Sequence, residues 1–212
     1  MSEDEAREWL LREGVSRETL ERLQLFVNFL AATNESQNLV SRPSLDSVWA
    51  RHIVDSFQLA RFAPPIGSWL DLGTGAGFPG LLVPFFHDGP VTLVESRRLR
   101  TDFLGAAAAV LGIGERVTIA ARSVESLGAA QFEVISARAF APLPRLLTVA
   151  ERFAGPATRW ILPKGRKAQS ELDEVRGSWQ GVFRIERSVT DPEAGIIVAE
   201  QVRRRREGKR AE

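Results

Sequence analysis

Ser68-Trp-Leu-Asp71-Leu-Gly73-Thr-Gly75-Ala-Gly77-Phe78-Pro79-Gly80-Leu-Leu-Val-Pro-Phe-Phe86 is the stretch on which the reading of the whole chain turns. It opens apolar with Trp69 and Leu70, passes four glycines in the eight positions from Gly73 to Gly80, and closes in an apolar run. That order predicts a strand, a tight turn and a helix over 78–87. Glycine admits positive φ and lets a ligand approach the main chain with no Cβ in the way. Pro79 suits the first turn of a helix, where its missing N–H costs nothing. The free N–H groups of such a start can meet a polar or anionic ligand group.

Two cofactor classes compete for the loop. Gly75-x-Gly77-x-x-Gly80 matches the dinucleotide fingerprint. Asp71-x-Gly73-x-Gly75-x-Gly77 matches the loop of class I methyltransferases, which bind S-adenosylmethionine (AdoMet). Glu95 follows the apolar run Val91-Thr-Leu-Val94. An acid at that strand end holds ribose hydroxyls in either case, so it does not choose between them. A structural turn without a ligand is the plain alternative. Loop and acid together point to an adenosine-containing cofactor.

The 212 residues suit one domain with an appendage. An apolar content of 44% and a charged content of 26% are those of an ordinary globular chain. No apolar run approaches the ~20 residues of a membrane span. The acidic start Ser2-Glu-Asp-Glu-Ala6 has no apolar signal core, so a cytoplasmic location is expected. The lack of cysteine excludes disulfides, thiolate metal sites and cysteine nucleophiles. His52 and His87 are too few for a histidine metal site, and no metal is expected. The net charge of +1 rules out a general polycation. Lys164, Lys167 and Lys209 are the only lysines, so the basic charge is nearly all arginine, whose planar fork suits phosphate.

Residues 1–66 read as a helical extension. Ser2 and Glu5 make a capping box. Ser16 caps a second helix in which Leu20, Leu23, Phe26, Val27 and Leu30 recur at helical spacing. A third helix is predicted over about 44–62, closed by Pro64-Pro65. From Ser68 the pattern alternates. Strands are predicted over 68–72, 90–95, 116–121, 132–137, 158–162, 181–188 and 195–202. Helices are predicted over 78–87, 97–111, 142–153 and 168–177. Strands separated by helices imply a seven-stranded, mostly parallel α/β sheet of Rossmann-like type. The short turn Thr190-Asp-Pro192-Glu-Ala-Gly195 implies an antiparallel last pair. The cofactor-binding core is expected over 67–202. The basic run 203–212 is expected to be a disordered tail.

Ligands of such a sheet bind beyond the carboxyl ends of its strands. The residues there are the glycine loop, Glu95, Arg122-Ser-Val124-Glu125, Arg138-Ala-Phe140 and Lys164-Gly-Arg166-Lys167. Glu125 and the Val124 N–H suit an adenine edge, although an acid at a helix start is also favoured by the macrodipole. Arg138 sits where substrate and cofactor should meet, with Phe140 as a stacking surface. Lys164, Arg166 and Lys167 suit phosphate, as would a solvated loop. Arg51 and His52 share the third helix with Asp55 and Ser56. A packing role for His52 is preferred to proton transfer. Arg97, Arg98 and Arg100 add to a basic distribution that suits a polyanion.

The chemistry narrows further if the cofactor is AdoMet. Methylation of pyrimidine C5 needs a cysteine nucleophile, which is absent. Methylation of an exocyclic amine uses an Asn/Asp-Pro-Pro-aromatic loop, and Ser136-Ala-Arg138-Ala-Phe140 does not match it. Guanine N7 already has an in-plane lone pair and needs no general base, only alignment and removal of water.

At this point the residues resemble the glucose-inhibited division protein B family, the bacterial 16S rRNA guanine-N7 methyltransferases. The resemblance is carried by Asn38-Leu39, Arg51-His52-Ile-Val-Asp55-Ser56, Asp71-Leu-Gly-Thr-Gly75-Ala-Gly-Phe-Pro-Gly80, Arg122-Ser-Val-Glu125, Ser136-Ala-Arg138-Ala-Phe-Ala141 and Pro163-Lys164-Gly165. It implies a class I methyltransferase fold, AdoMet as methyl donor, and one guanine in the helix 18 loop of 16S rRNA as target. It implies cofactor contacts at Gly73, Phe78, Val124, Glu125 and Arg138, with Glu95 on the ribose hydroxyls; from the loop reading, Asp71 and Gly75 are expected at the cofactor too. Arg138 and Lys164 are the candidates for a catalytic role, and Arg51, Lys164, Arg166 and Lys167 for RNA contact. The partner implied is 16S rRNA or the small ribosomal subunit, met by a monomer. An NAD-dependent oxidoreductase and a non-catalytic ribosome-binding module are the competing readings. The first lacks a Tyr-Lys dyad, since the chain has no tyrosine.

Overall fold

The computed structural model describes residues 1–205. Helix α1 (Glu3–Arg12) carries the expected capping box, with Ser2 and Glu5 bonding each other's backbone N–H. Helix α2 (Arg17–Asn34) is capped by the Ser16 hydroxyl. The third helix is not continuous. Helix α3 (Arg42–Leu45) stops early, a π-helical turn occupies Trp49–Val54, α4 (Asp55–Phe57) follows, and a 3-10 turn runs over Gln58–Phe62. The break has a tertiary cause. The Glu3 carboxylate accepts hydrogen bonds from the Trp49 N–H at 3.0 Å and the Ala50 N–H at 3.1 Å, so the segment is capped from α1 at Trp49.

The sheet contains β1 (Trp69–Leu72), β2 (Val91–Glu95), β3 (Val117–Ala121), β4 (Phe132–Ser136), β5 (Ala154–Gly165), β6 (Trp179–Arg187) and β7 (Gly195–Arg204). Its order is β3-β2-β1-β4-β5-β7-β6. All pairings from β3 to β5 are parallel, and β7 runs antiparallel to both neighbours. Strand β1 is central, with Trp69 opposite Val91 on one side and Val134 on the other. Helices α5 (Arg98–Leu111), α6 (Leu143–Ala150) and α7 (Ala168–Val175) lie in the predicted intervals.

Successive side chains of β1 point to opposite faces. Trp69 joins an apolar cluster with Phe26, Leu30, Ile53, Phe78 and Leu104. Leu70 and Leu72 join the other, with Leu146, Leu147 and Trp160. The N-terminal helices therefore supply core to one face of the sheet. Phe29 of α2 stacks on Phe103 of α5 with centroids 5.4 Å apart, and Phe26 meets Phe78 edge-on at 5.6 Å.

Besides the broken third helix, two further sequence expectations fail here. No α-helix follows the glycine loop over 78–87. Gly77 has φ +93°, the Gly80 N–H donates to the Asp71 Oδ2 at 3.1 Å, and Pro84 lacks a donor, so only separate turns and a 3-10 turn at Val83–Phe85 form. Strand β7 also passes the predicted end at 202. Arg204 lies over the Trp179 ring at 4.9 Å and pairs with Glu151 at 2.9 Å, which holds Arg203 and Arg204 in the strand. The rest of the predicted tail, 206–212, lies outside the described residues.

Gly80 shows how tightly the loop is packed. An ideal Cβ there would lie 2.2 Å from Leu93 Cδ2 and 2.8 Å from Asp71 Oδ2. Gly80→Ala is expected to destabilise the chain by about 1–3 kcal/mol through overpacking. Urea unfolding followed by tryptophan fluorescence checks this, and an unchanged midpoint would refute it.

Candidate active site

The C-terminal edge of the sheet holds two cavities separated by one short segment. The smaller, about 310 Å³, is lined by Gly73, Glu95, Arg100, Val124, Glu125 and Phe140 among others. The larger, about 1030 Å³, lies between the N-terminal extension and the β5 and β6–β7 loops, and is lined by Arg51, His52, Asp55, Arg138, Lys164 and Arg166 among others. Ala139 and Phe140 line both. They form a partition after β4, where Ala139 adopts φ +53°, a left-handed conformation rare for a residue with a Cβ.

The glycine loop is braced from beneath. Trp69 Nε1 donates to Ser136 Oγ at 2.8 Å, and Ser136 Oγ donates to Asp71 Oδ1 at 2.6 Å. With the Gly80 N–H on Oδ2, both carboxylate oxygens of Asp71 are engaged inside the protein. Asp71 has no exposure, and burial pushes its carboxyl up to about 6 against these bonds and the nearby Arg138 charge. Asp71 was expected to touch the cofactor. Its side chain instead fixes the loop. Phe78, also expected at the cofactor, is 2% exposed, stacked on His52 at 4.7 Å, and its side chain lines neither cavity.

The other predicted cofactor positions separate clearly. Gly73, Glu95, Val124 and Glu125 line the smaller cavity. Gly75, with φ +59°, has open space beyond Arg100. Arg138 lines the larger cavity, donating to the Arg51 carbonyl at 3.1 Å with its guanidinium over the Phe78 ring. Glu95 is pinned: Oε1 accepts from the Ser96 and Arg97 N–H groups at 2.8 and 2.9 Å, and Oε2 lies 3.6 Å from Arg100.

Two predicted cations are already paired. Lys164 donates to the Ala141 carbonyl at 2.8 Å and pairs with Glu171 at 2.9 Å, its side chain only 7% exposed. Glu171 also accepts the first N–H of α6, at Leu143. A lysine so held braces the segment that carries the partition. Arg166 pairs with Glu193 at 2.7 Å. Lys167 is exposed at the start of α7 and lines neither cavity, whereas Arg51 is exposed and lines the larger. Sequence reasoning missed Glu171, because nothing local marks an acid in α7 as the partner of a lysine in β5. It also missed Arg145, which reaches the smaller cavity from α6.

His52 is buried and neutral. Burial, then the charges of Arg138 and Arg51, lower its pKa to about 3. Ser44 Oγ already donates to the Ser41 carbonyl, so it accepts from His52 Nε2–H at 3.1 Å, and Nδ1 is left without a partner. Asp55 accepts from Thr190 Oγ1 and, at 2.9 Å, from Gln58 Nε2. Gln58 in turn accepts from the Val189 N–H at 2.9 Å. These bonds tie the extension to the β6–β7 turn across the larger cavity.

The smaller cavity suits an adenosine cofactor on three counts. Its volume falls within the range of ligand pockets. Gly73 leaves a cradle that a Cβ would fill, 2.4 Å from Phe140 Cδ2. A pinned carboxylate at the end of β2 presents a fixed acceptor to hydroxyls.

The same architecture recurs in solved structures. An O-methyltransferase of Bacillus cereus in complex with SAH superposes with a TM-score of 0.58 at 12% identity, covering 91% of this chain and 96% of that one. A ribosomal protein L11 methylase of Lactobacillus delbrueckii subsp. bulgaricus gives 0.55 at 15% identity, covering 72% and 77%. The fold is thus that of the class I methyltransferases. Residues 19–194 match the family described as GidB, rRNA small subunit methyltransferase G. A ribosomal RNA small subunit methyltransferase G of Rhizorhabdus wittichii is 50% identical over 217 residues, covering 99% of this chain and 98% of the relative. That of Zymomonas mobilis subsp. mobilis is 46% identical over 212 residues, covering 95% of each. This chain belongs to the GidB family. The dinucleotide reading of the loop is thereby overturned, in keeping with a Gly80 that packs inward rather than facing a ligand.

The depressed His52 pKa sets a sign for acid sensitivity. The unfolded chain takes up this proton below about pH 6.5 and the folded chain does not. Stability from this group is complete above that pH and falls by about 1.4 kcal/mol per pH unit as pH drops from about 6.5 toward 3. His52→Phe should remove this slope relative to the parent. Denaturant titrations of both proteins from pH 7 to pH 4 test it; parallel curves would show that His52 is protonated in the fold.

Proposed function

We propose that the chain transfers a methyl group from AdoMet to N7 of one guanine in the helix 18 loop of 16S rRNA, as a monomer in the cytoplasm. Family membership supports the activity and the rRNA substrate. Among the described residues no helix is long and apolar enough to cross a membrane. The observation that carries the reading is the pair of cavities meeting at the Ala139–Phe140 partition.

When bound, AdoMet supplies an electrophilic methyl group on a sulfonium. In this reading Glu95 holds the ribose hydroxyls, Val124 and Glu125 receive the adenine, and the Gly73–Gly75 backbone receives the amino-acid end. The guanine enters from the larger cavity beside Arg138. Its N7 lone pair is the nucleophile, so no side chain has to remove a proton. Arg138 has donors beyond the one given to Arg51 and directs them to guanine O6, aligning N7. Phe140 offers a stacking face and excludes water. The neutral His52 beneath Phe78 adds no proton chemistry at neutral pH.

Transfer of label from radiolabelled AdoMet to small subunits from cells lacking the gene, mapped by strand cleavage at 7-methylguanine, tests the reading. One cleavage in the helix 18 loop is expected; label elsewhere would remove the substrate assignment. Arg138→Ala is expected to lower kcat/KM by about 10- to 100-fold, a loss of alignment rather than of fold. Full activity in that variant, or its unfolding, would count against the assigned role.

A further inference from the structure

Among the described residues, three exposed arginines without a side-chain partner line the smaller cavity and one, Arg51, lines the larger. Arg97, Arg122 and Arg145 are exposed, line the smaller cavity, and make no side-chain ion pair or hydrogen bond among the described residues. Lys164 and Arg166 of the larger cavity are instead held by Glu171 and Glu193. The arrangement also breaks a local rule twice. Helix α5 starts at Arg97 with Arg98 and Arg100 in its first turn and no acid. Helix α6 carries Arg145 in its first turn, again with no acid. A helix start is electropositive and opposes a cation by about 0.3–1 kcal/mol. Glu95 at the approach to α5 and Glu171 at the α6 start offset this cost, but both carboxylates are already engaged and leave Arg97 and Arg145 unpaired.

The cofactor does not account for these charges. AdoMet bears a sulfonium, an ammonium and one carboxylate, and so is itself a net cation. Arg100 is taken by Glu95. Three further arginines repel such a ligand on balance and call for an anion outside it. Leu99, 65% exposed between the arginines of α5, offers an apolar contact of the kind that a base or sugar covers.

We infer that backbone phosphates of the substrate RNA lie across the mouth of the cofactor cavity, gripped by Arg97, Arg122 and Arg145, so that the RNA closes over the cofactor. The inference rests on the rRNA methyltransferase reading above and adds to it a binding order. Cofactor enters first, RNA second, and the demethylated cofactor leaves only after the RNA has lifted.

The test compares the full chain with its R97Q/R122Q/R145Q variant, using a fluorescent RNA fragment carrying the small-subunit target loop. Anisotropy titrations at several salt concentrations give the slope of log K against log [salt]. Each phosphate contact contributes about 0.7–0.9 to that slope, so the variant's slope should be shallower by about 2–3. AdoMet affinity without RNA, read by calorimetry, should be unchanged or tighter in the variant. RNA should slow release of radiolabelled AdoMet from the parent and not from the variant. An unchanged slope in a variant with the parent's melting temperature would overturn the inference. So would a loss of AdoMet affinity as large as the loss of RNA affinity, since that would assign the arginines to the cofactor. If the parent methylates small subunits and the slope is unchanged, this inference alone fails. If the parent methylates none, the rRNA reading fails with it.

Discussion

The sealed carboxylate of Asp71 is the constraint from which the site follows. A charge at the end of the central strand, with no exposure, is unfavourable unless donors meet it. The donors come from two directions: Ser136 at the end of the neighbouring strand and Gly80 at the far side of the glycine loop. The bond to Ser136 registers β1 against β4 at the edge where ligands bind, and Trp69 extends it into the core. The bond to Gly80 curls the loop back under itself. An acid that looks like a ligand contact in sequence is thus the reason the loop has a fixed shape at all.

The larger cavity depends on contacts that span the chain. Glu3 sets where the third helical segment restarts, and so where Arg51 and His52 fall. Asp55 and Gln58 then reach the turn between the last two strands, more than a hundred residues on. Lys164 and Glu171 hold the loop that carries the partition. Each is a polar pair with little exposure, where removing one partner strands the other. The extension is therefore a wall of the cleft as well as a layer of the core.

What was legible in the sequence was whatever local chemistry enforces. Most of the alternating strands and helices, the Ser2–Glu5 capping box, the Ser16 cap, the glycine loop and the acid after β2 fell where patterning placed them. The antiparallel pairing of the last two strands followed from the short turn between them. Three things were not legible, each for a tertiary reason. The helix expected after Gly77 is prevented by a donor diverted to Asp71. The third helix is interrupted by a cap from a helix forty-odd residues earlier. Lys164 and Arg166 look free in sequence because their acids lie in another element. The strand-end positions that line the cavities were legible; the side chains that neutralise or brace them were not.

Ala139 holds a left-handed backbone in the wall common to both cavities. A residue with a Cβ adopts that conformation only under restraint from its surroundings, at a cost of about 1 kcal/mol or more. The wall between the cavities is therefore held in shape by its packing rather than by the backbone preference of its own residue. A glycine at 139 would remove that cost and take only one methyl group from the lining of each cavity.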